Sequence, residues 1–387
     1  MSDLFEFFTA PRIVFGAGTV DRLGEIVSEH GRKALLVLGG KSADERGLTD
    51  TLRSLLPVGA EARCDAEPTV EVVDRAVEEA RLGGCDVVVA VGGGSVVDCG
   101  KAAAAMATNP GSLVDYLEGV GTGATIDRPP LPFIAVPTTS GTGSEVTKNA
   151  VISGPGYKKS VRSPLMIPRV ALVDPSLTYG MPRSVTAACG MDALTQLVEA
   201  YLSRNAQPLT DALALPGISA VGHSLEVAFR EPENAEAREG MALASLLSGI
   251  CLANAGLGAV HGFAAALGAF KSMAHGVACA ALLPQVLRAN LAAAAGTPAE
   301  ERFVHRLATI GSTLVGEPFV SPNEAIDHSL EHIIWLQRRL EIPALRELGV
   351  TADDLPVLVK NARGSSMRTN PVDLSDQQLM EILEDAL

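Results

Sequence analysis

One segment constrains the fold of this chain more than any other: the apolar, valine-rich run Cys85–Val91, which leads directly into Gly92-Gly93-Gly94-Ser95. Such a run predicts a strand that is buried on both faces, and the segment Val96–Ala107 that follows is predicted to be a helix. Successive glycines let the backbone turn sharply, and a helix N-terminus offers unpaired N–H groups that suit a pyrophosphate. The segment therefore predicts a dinucleotide-type anion site. Its spacing is not GxGxxG, so a plain strand–helix turn is the alternative.

The first half of the chain repeats this alternation of strand and helix. Further strands are predicted over Lys33–Leu38, Phe133–Val136 and Val170–Val173, and helices over Thr51–Leu56 and Val70–Leu82. Strands that alternate with helices imply a mainly parallel sheet covered by helices on both sides. We therefore predict an α/β N-terminal dinucleotide-binding domain.

The second half of the chain shows helical periodicity with few strand signals. A length of 387 residues fits two domains, and we place their boundary so that residues 1–183 form the α/β domain and residues 184–387 an all-α C-terminal domain. The predicted C-terminal helices are Val185–Ser203, Asp211–Ala228, Ala235–Leu257, Val277–Ala294, Asp353–Asn361 and Asp376–Ala386.

The charge balance and the cysteines limit the partners and the compartment. A formal net charge of −14 argues against nucleic acid and anionic membranes, which both require basic patches. The longest apolar stretches are interrupted by Gly, Asn, Lys or Pro, so no membrane-spanning run is expected. The six cysteines show no CxxC spacing and the N-terminus has no basic segment typical of a signal peptide, which favours a cytoplasmic location.

A second polar loop and the end of an early strand bear on the cofactor. Pro137–Thr147 follows a predicted strand and offers many hydroxyl groups with two glycines, which suits a phosphate or a ribose. An acidic residue at the end of the strand Lys33–Leu38 would hold ribose hydroxyls, but Gly39, Gly40 and Lys41 stand there instead. A 2′-phosphate could meet Lys41, so the sequence leans towards NADP while leaving NAD open.

The helical half contains a possible metal site. Asp192 and Gln196 are four residues apart and share one helix face. His261 and His275 each precede a glycine in apolar surroundings. One Asp and two His suit a divalent cation with open positions, which would polarise an alcohol oxygen. The alternative is that these are ordinary core histidines.

Together these motifs resemble one known family, the iron-containing or group III alcohol dehydrogenases. The resemblance spans nearly the whole chain and implies a dinucleotide-binding domain, a helical domain and a site in the cleft between them. The motifs that carry it are PRIVFGAG (Pro11–Gly18), GGGSVVDCGK (Gly92–Lys101), PTTSGTGSEVT (Pro137–Thr147), RSPLMIPRVALVDP (Arg162–Pro175), GMDALTQ (Gly190–Gln196), AHGVACAALLP (Ala274–Pro284) and TNP (Thr369–Pro371).

The resemblance also implies roles for individual residues. The pyrophosphate would lie on Gly93, Gly94 and Ser95, and Lys159 would contact the ribose. Asn149 corresponds to a position at the substrate pocket. The metal ligands would be Asp192, Gln196, His261 and His275. The residues expected to line the cofactor are Asp98, Thr138, Thr139, Thr142 and Ser144, in addition to Gly39 and Lys41.

This sequence departs from the family at several of these positions. The second metal ligand is usually His and is here Gln196, whose amide oxygen is a poorer ligand for Fe²⁺. A further His, thought to relay protons, is replaced by Ala265, and a Cys near the pocket by Ser366. These departures leave Fe²⁺, Zn²⁺ and no metal open as alternatives. The nearby Arg368 could hold an anionic aldehyde, or it could be a surface residue.

We therefore predict an oxidoreductase that transfers a hydride between NAD or NADP and a small alcohol, aldehyde or ketone. The catalytic residues would be Asp192, His261 and His275, holding Fe²⁺ or Zn²⁺. Two alternatives remain: an enzyme like dehydroquinate synthase or glycerol dehydrogenase on the same fold, or a degenerate protein that binds dinucleotide without turnover. The family often forms dimers or larger assemblies, so we expect at least a homodimer.

Overall fold

The computed structural model describes residues 4–271 and 273–387, which form two compact units. The α/β unit consists of Phe8–Thr139 and Gly143–Thr178. The helical unit consists of Tyr179–Leu387, the short segment Ser140–Thr142 and the described residues before Phe8. The predicted fold class, a parallel α/β domain followed by a helical domain, is confirmed.

The α/β unit is built on a parallel six-stranded sheet with the order β1-β8-β5-β4-β2-β3. The register aligns Leu38 with Val91 and Gly92 with Pro137, so β2, β4 and β5 end at the same edge of the sheet. The strands of this sheet are β1 (Arg12–Phe15), β2 (Ala34–Leu38), β3 (Val58–Arg63), β4 (Val87–Gly92), β5 (Phe133–Pro137) and β8 (Val170–Val173).

Alternating side chains of the central strands enter two separate cores, one on each face of the sheet. Leu35 and Val37 of β2 face one core, and Leu36 and Leu38 face the other. This period of two explains why both faces must be covered by helices. The helices of this unit are α1 (Leu23–Ser28), α2 (Lys41–Glu45), α3 (Leu48–Leu55), α4 (Val70–Leu82) and α5 (Gly94–Thr108).

The strand order reverses direction between β2 and β4. From β2 the chain moves outward to β3, and it then returns to the other side of β2 to add β4, β5 and β8 in turn. In open parallel sheets the crevice at such a reversal, at the carboxyl ends of the strands, is where ligands bind. The fold therefore places a candidate ligand site after Leu38 and Gly92.

The sequence did not predict an antiparallel hairpin in the α/β unit. Strands β6 (Asn149–Gly154) and β7 (Tyr157–Arg162) pair with each other and not with the large sheet. Pro155 and Gly156 form the two-residue turn, and Gly156 has a φ of 75°. A positive φ of this kind is readily adopted only by glycine among ordinary residues, which explains the residue at this turn.

The helical unit surrounds one large apolar core. Its first helix begins one residue after Pro182, close to the predicted start at Val185. The helices Ala259–Lys271, Glu300–Val315 and Pro322–Arg339 were not predicted from the sequence. The helices are α6 (Arg183–Leu202), α7 (Pro208–Arg230), α8 (Ala235–Ala255), α9 (Ala259–Lys271), α10 (His275–Ala294), α11 (Glu300–Val315), α12 (Pro322–Arg339), α13 (Leu355–Ala362) and α14 (Asp376–Asp385).

By length and composition alone, α7 and α10 are apolar enough to cross a membrane, as is the pair α8 and α9, which is bent by 101°. The sequence-based expectation of no spanning run rests on interruptions by Gly, Asn, Lys or Pro, and the structure contains two such prolines, Pro216 and Pro284, inside α7 and α10. Apolar residues of both helices, including Leu225 and Leu283, are buried in the core of the helical unit. Packing within this unit is a sufficient reason for their apolar character.

Candidate active site

A cavity of about 250 Å³ lies in the crevice predicted by the strand order. It is lined by residues that follow β2, β4 and β5 and by Cys64, Asp65 and Ala66 after β3. Five of the residues predicted to bind the cofactor meet here, although they come from three separate segments of the chain. These residues are Gly39, Gly93, Ser95, Thr138 and Thr139.

The glycine loop joins β4 directly to α5. Gly93 is the residue before the helix and provides no side-chain cap, and the helix begins at Gly94. The first N–H groups of a helix have no partner within it, so those of Gly94 and Ser95 suit a phosphate group. A Cβ at Gly92 would lie 2.5 Å from Cγ2 of Val96, so this close turn requires glycine.

Other residues predicted to bind the cofactor, and Asn149, predicted to lie at the substrate pocket, are not among the residues that line this cavity. Lys41 is the first residue of α2 and is exposed, and Lys159 is exposed on β7. Asn149 begins β6. Thr142 belongs to the short segment that groups with the helical unit. The structure therefore gathers part of the predicted set around the cavity, whereas Lys41, Thr142, Asn149 and Lys159 do not line it.

Asp98 and Ser144 belong to a buried polar cluster centred on Lys101, which was not assigned a role from the sequence. The Lys101 ammonium donates to the carbonyl oxygens of Ser144 (2.8 Å) and Asn149 (2.7 Å) and to Oγ1 of Thr147 (2.9 Å). The Asp98 carboxylate accepts from the Ser144 hydroxyl and from the Val151 amide. This cluster fastens the hydroxyl-rich loop and the hairpin to α5.

Burial shifts the pKa values within and beside this cluster. Desolvation lowers the pKa of Lys101 to about 8 although the neighbouring Asp98 and Glu145 oppose it. Desolvation raises the pKa of Asp98 and raises that of Glu145 to about 7. Glu145 therefore holds its proton to a higher pH in the folded protein than its ordinary value of 4.5 would allow.

The raised pKa of Glu145 predicts a loss of stability with rising pH. Because the folded state binds this proton more tightly, the free energy of unfolding falls as the pH rises from about 4.5 to about 7, by about 3 kcal/mol. Glu145→Gln should remove most of this dependence, measured by urea denaturation at pH 5 and pH 8. The exposed Glu78→Gln is the control, and an unchanged pH dependence in Glu145→Gln would contradict the prediction.

The second cluster lies in the helical unit and contains the predicted metal ligands. Asp192 on α6, His261 on α9 and His275 and Cys279 on α10 each direct one ligand atom into a space where all four atoms lie within 4.8 Å of one another. Oδ1 of Asp192 is 3.3 Å from Nε2 of His261 and 3.7 Å from Nε2 of His275. Carboxylate and imidazole groups converging at such distances suit a divalent transition metal.

Glu199 stands behind His261 and was not found from the sequence. Its Oε2 is 2.7 Å from Nδ1 of His261, and its carboxylate also accepts from the amides of Gly258 (2.9 Å) and Val260 (2.7 Å). A carboxylate at Nδ1 holds the proton there and leaves the lone pair of Nε2 free for a metal. Glu199 is therefore the residue that orients His261.

The C-terminal TNP motif supports the loop between α8 and α9, which contains Gly258. The Thr369 hydroxyl donates to the Leu257 carbonyl at 2.6 Å, and Oδ1 of Asn370 accepts from the Ala259 amide at 3.0 Å. A Cβ at Gly258 would lie 2.7 Å from Oε1 of Glu199, so the loop requires glycine here. These contacts fix the start of α9 and hence the position of His261.

We expect Glu199→Gln to weaken metal binding by about 10–100-fold, because an amide orients the imidazole less firmly than a carboxylate does. The dissociation constant for Zn²⁺, measured by competition with a chromogenic chelator, gives the result. Glu236→Gln, an exposed change on α8, is the control. Equal affinity in Glu199→Gln and the native protein would show that Glu199 does not support the metal site.

Gln196, Ala265 and Arg368 are the remaining positions singled out in this unit. Gln196 lies one turn after Asp192, and its Oε1 is 2.8 Å from the Ser248 hydroxyl. Ala265 is exposed on α9, and Arg368 is exposed in the short 3-10 helix Ser366–Thr369. None of these three offers a metal the strong ligand that imidazole provides.

The anionic groups make the cluster favourable for a cation. Burial alone would lower the pKa of His261, but Cys279, Asp192 and Glu199 outweigh burial and raise it well above its ordinary value. Burial would raise the pKa of Asp192, but the two histidines outweigh it and lower it. The folded protein therefore favours an ionised Asp192 carboxylate and a positive charge beside it.

The chain matches family profiles along both halves: residues 10–175 match iron-containing alcohol dehydrogenases, and residues 186–387 match the C-terminal part of the same family. The 1,3-propanediol dehydrogenase of Klebsiella pneumoniae is 37% identical over 394 residues, which cover 99% of each chain.

Solved structures give the same result. A crystal structure of 1,3-propanediol oxidoreductase is 36% identical with a TM-score of 0.89, covering 99% of this chain and 100% of that one. Sulfoacetaldehyde reductase from Bifidobacterium kashiwanohense, crystallised with NAD⁺, is 30% identical with a TM-score of 0.87, covering 99% of this chain and 98% of that one. These matches confirm the predicted resemblance and the predicted class of enzyme. The chain belongs to the iron-containing alcohol dehydrogenase family.

Proposed function

We propose that this protein is an NAD(P)-dependent alcohol dehydrogenase or aldehyde reductase that acts on small substrates with the help of a divalent metal. The observation that carries the proposal is the convergence of Asp192, His261 and His275, with Glu199 orienting the central imidazole. The cavity at the ends of β2, β4 and β5 supports the dinucleotide part of the proposal. The names of the relatives support the reaction class.

The roles of the residues follow from their chemistry. Asp192, His261 and His275 would hold the metal, which when bound polarises the substrate oxygen and stabilises an alkoxide. The nicotinamide carries the hydride, so the protein's task is to bind and orient the cofactor. The amides of Gly94 and Ser95 would hold its pyrophosphate. Ala265 has no titratable atom, so proton exchange with solvent does not use that position.

The direct test is oxidation of NADH and NADPH with a panel of small aldehydes, before and after removal of metal by a chelator. We expect turnover that falls on chelation and returns with added Zn²⁺ or Fe²⁺. Sugar phosphates in the same panel test the alternative enzymes of this fold. Cofactor binding without turnover on any substrate would contradict the proposal and favour a non-catalytic dinucleotide-binding protein.

We propose NADP(H) as the preferred cofactor. The end of β2 carries Gly39 and Gly40, which leave space for a 2′-phosphate, and Arg46 lines the same cavity. Lys41 stands exposed at the start of α2. Asp65 also lines the cavity and is the acidic group that could instead favour the free ribose hydroxyls of NAD.

We therefore expect kcat/KM to be at least about tenfold higher with NADPH than with NADH, the discrimination that about 1.4 kcal/mol of charged hydrogen bonding provides. Gly39→Asp should reverse the preference because a carboxylate repels the 2′-phosphate. Steady-state kinetics with each cofactor, at one aldehyde concentration, measure this preference. A preference for NADH in the native protein, or no effect of Gly39→Asp, would end this proposal.

A further inference from the structure

A thiol completes the cluster that contains Asp192, His261 and His275. Cys279 lies on α10, one turn after His275, and its side chain is buried. Its Sγ is 3.8 Å from Nε2 of His261 and 3.9 Å from Nε2 of His275. Sequence alone does not single out this cysteine, because it has no CxxC partner and lies in an alanine-rich helix.

The distances between these ligand atoms are close to those around a tetrahedral zinc ion. Zn–N and Zn–O bonds of about 2.0 Å and a Zn–S bond of about 2.3 Å give edges of about 3.3 Å between N and O, and about 3.5 Å between S and N. The corresponding distances here are 3.3 and 3.7 Å for N–O, and 3.8 and 3.9 Å for S–N. Small side-chain shifts would therefore bring all four atoms to one ion.

Gln196 occupies the sequence position where the family resemblance implied a fourth ligand, but it is the weaker candidate. Its Oε1 already lies 2.8 Å from the Ser248 hydroxyl, which is fully buried. A neutral amide oxygen is also a weaker ligand for Zn²⁺ or Fe²⁺ than a thiolate. The cluster thus contains a strong donor, Cys279, within reach of the histidines, and an amide that has another partner.

We propose that Cys279 supplies the fourth ligand, so that the site is an Asp-His₂-Cys centre that selects Zn²⁺ over Fe²⁺. This inference rests on the proposed function, since it concerns the ligands of the same metal. On binding, the metal–sulfur bond forms as the S–H bond breaks, and the thiol proton passes to solvent. No electron transfer is involved.

The thiolate changes the charge and the metal preference of the site. With Asp192 and Cys279 both anionic, a divalent ion is neutralised, whereas Asp with three histidines leaves one positive charge. Thiolates favour Zn²⁺ among the divalent ions that such sites commonly hold. Cys279 on α10 would then replace the metal ligand that is lost because Gln196 on α6 stands where the family usually has a histidine.

The test is the absorption spectrum of the Co²⁺-loaded protein, because a cobalt–thiolate bond produces an intense charge-transfer band in the near ultraviolet. We expect this band in the native protein and in Gln196→Ala, and its loss in Cys279→Ser. Cys251→Ser is the matched control, since Cys251 is also a buried cysteine of the helical unit. Its thiol donates a hydrogen bond to the Thr210 carbonyl at 3.4 Å. The control should keep the band.

Different spectra would contradict the role of Cys279 and the proposed metal-assisted function. The native protein could show visible cobalt bands but no thiolate band, with the visible bands lost in His261→Ala. This result would overturn the role of Cys279 and leave the metal site intact. A thiolate band that persists in Cys279→Ser would also overturn it. No cobalt uptake at all would overturn both proposals.

X-ray absorption of the Zn²⁺-loaded native protein provides a test that needs no variant to fold. We expect one sulfur atom at about 2.3 Å among nitrogen and oxygen ligands at about 2.0 Å. A zinc shell made only of nitrogen and oxygen would contradict a Cys279 ligand.

Discussion

Replacing His261 by alanine is expected to reduce turnover by about 10³-fold and to lower the bound divalent metal to less than about a tenth of the native content. His261 is the central ligand of the cluster, since it contacts Asp192 and Cys279 through Nε2 and Glu199 through Nδ1. Its loss removes one ligand and leaves the Glu199 carboxylate without the imidazole. Metal content per chain and kcat with a saturating aldehyde give the two results.

The exposed His305→Ala on α11 is the control for this change, because it removes an imidazole from the same unit without touching the cluster. It should keep both the native metal content and the native kcat. If His261→Ala retained full activity after chelation, the metal would have no part in the reaction, and the roles assigned to Asp192 and His275 would fall with it.

Lys101→Met is expected to destabilise the protein by about 3–5 kcal/mol, the usual consequence of leaving one partner of a buried charge pair alone. The Lys101 side chain is fully buried, and its ammonium lies 3.8 Å from Oδ1 of Asp98. The change also removes the donor to Ser144 and Thr147 of the hydroxyl-rich loop and to Asn149 of the hairpin. Urea denaturation at pH 7 measures the effect, with the exposed Lys33→Met as the control.

A double variant separates charge from packing in this cluster. Asp98→Asn combined with Lys101→Met removes both charges, so it should be about 1–3 kcal/mol more stable than the sum of the two single changes predicts. Strict additivity would show that the two side chains do not stabilise each other. A Lys101→Met protein as stable as the native one would contradict the structural role of the cluster.

The strands and helices that carry strong periodic patterns could be predicted from the sequence. The prediction of α4 as Val70–Leu82 and of β8 as Val170–Val173 agrees with the structure residue by residue. Strand β3, VGAEAR, was missed because it is an edge strand with mixed polarity and no fully buried residue. The hairpin β6–β7 was missed because YKKSVR is too polar to give a strand signal.

The candidate site could be predicted only in part. Asp192, His261 and His275 were found because such residue types stand out in apolar surroundings, and the glycine loop because of its position after a buried strand. Glu199 and Cys279 could not be found in this way, because their roles depend on which helices face each other in space. The one available signal for Glu199 was its place seven residues after Asp192, on the helix face that also carries Gln196.

Anomalous X-ray diffraction at the zinc absorption edge, from crystals of the Zn²⁺-loaded protein, tests the metal centre most directly. We expect a single strong peak in the helical unit, with Oδ1 of Asp192 and Nε2 of His261 and His275 at about 2.0–2.1 Å from it. A map without a peak there, in crystals whose protein binds zinc in solution, would contradict the account.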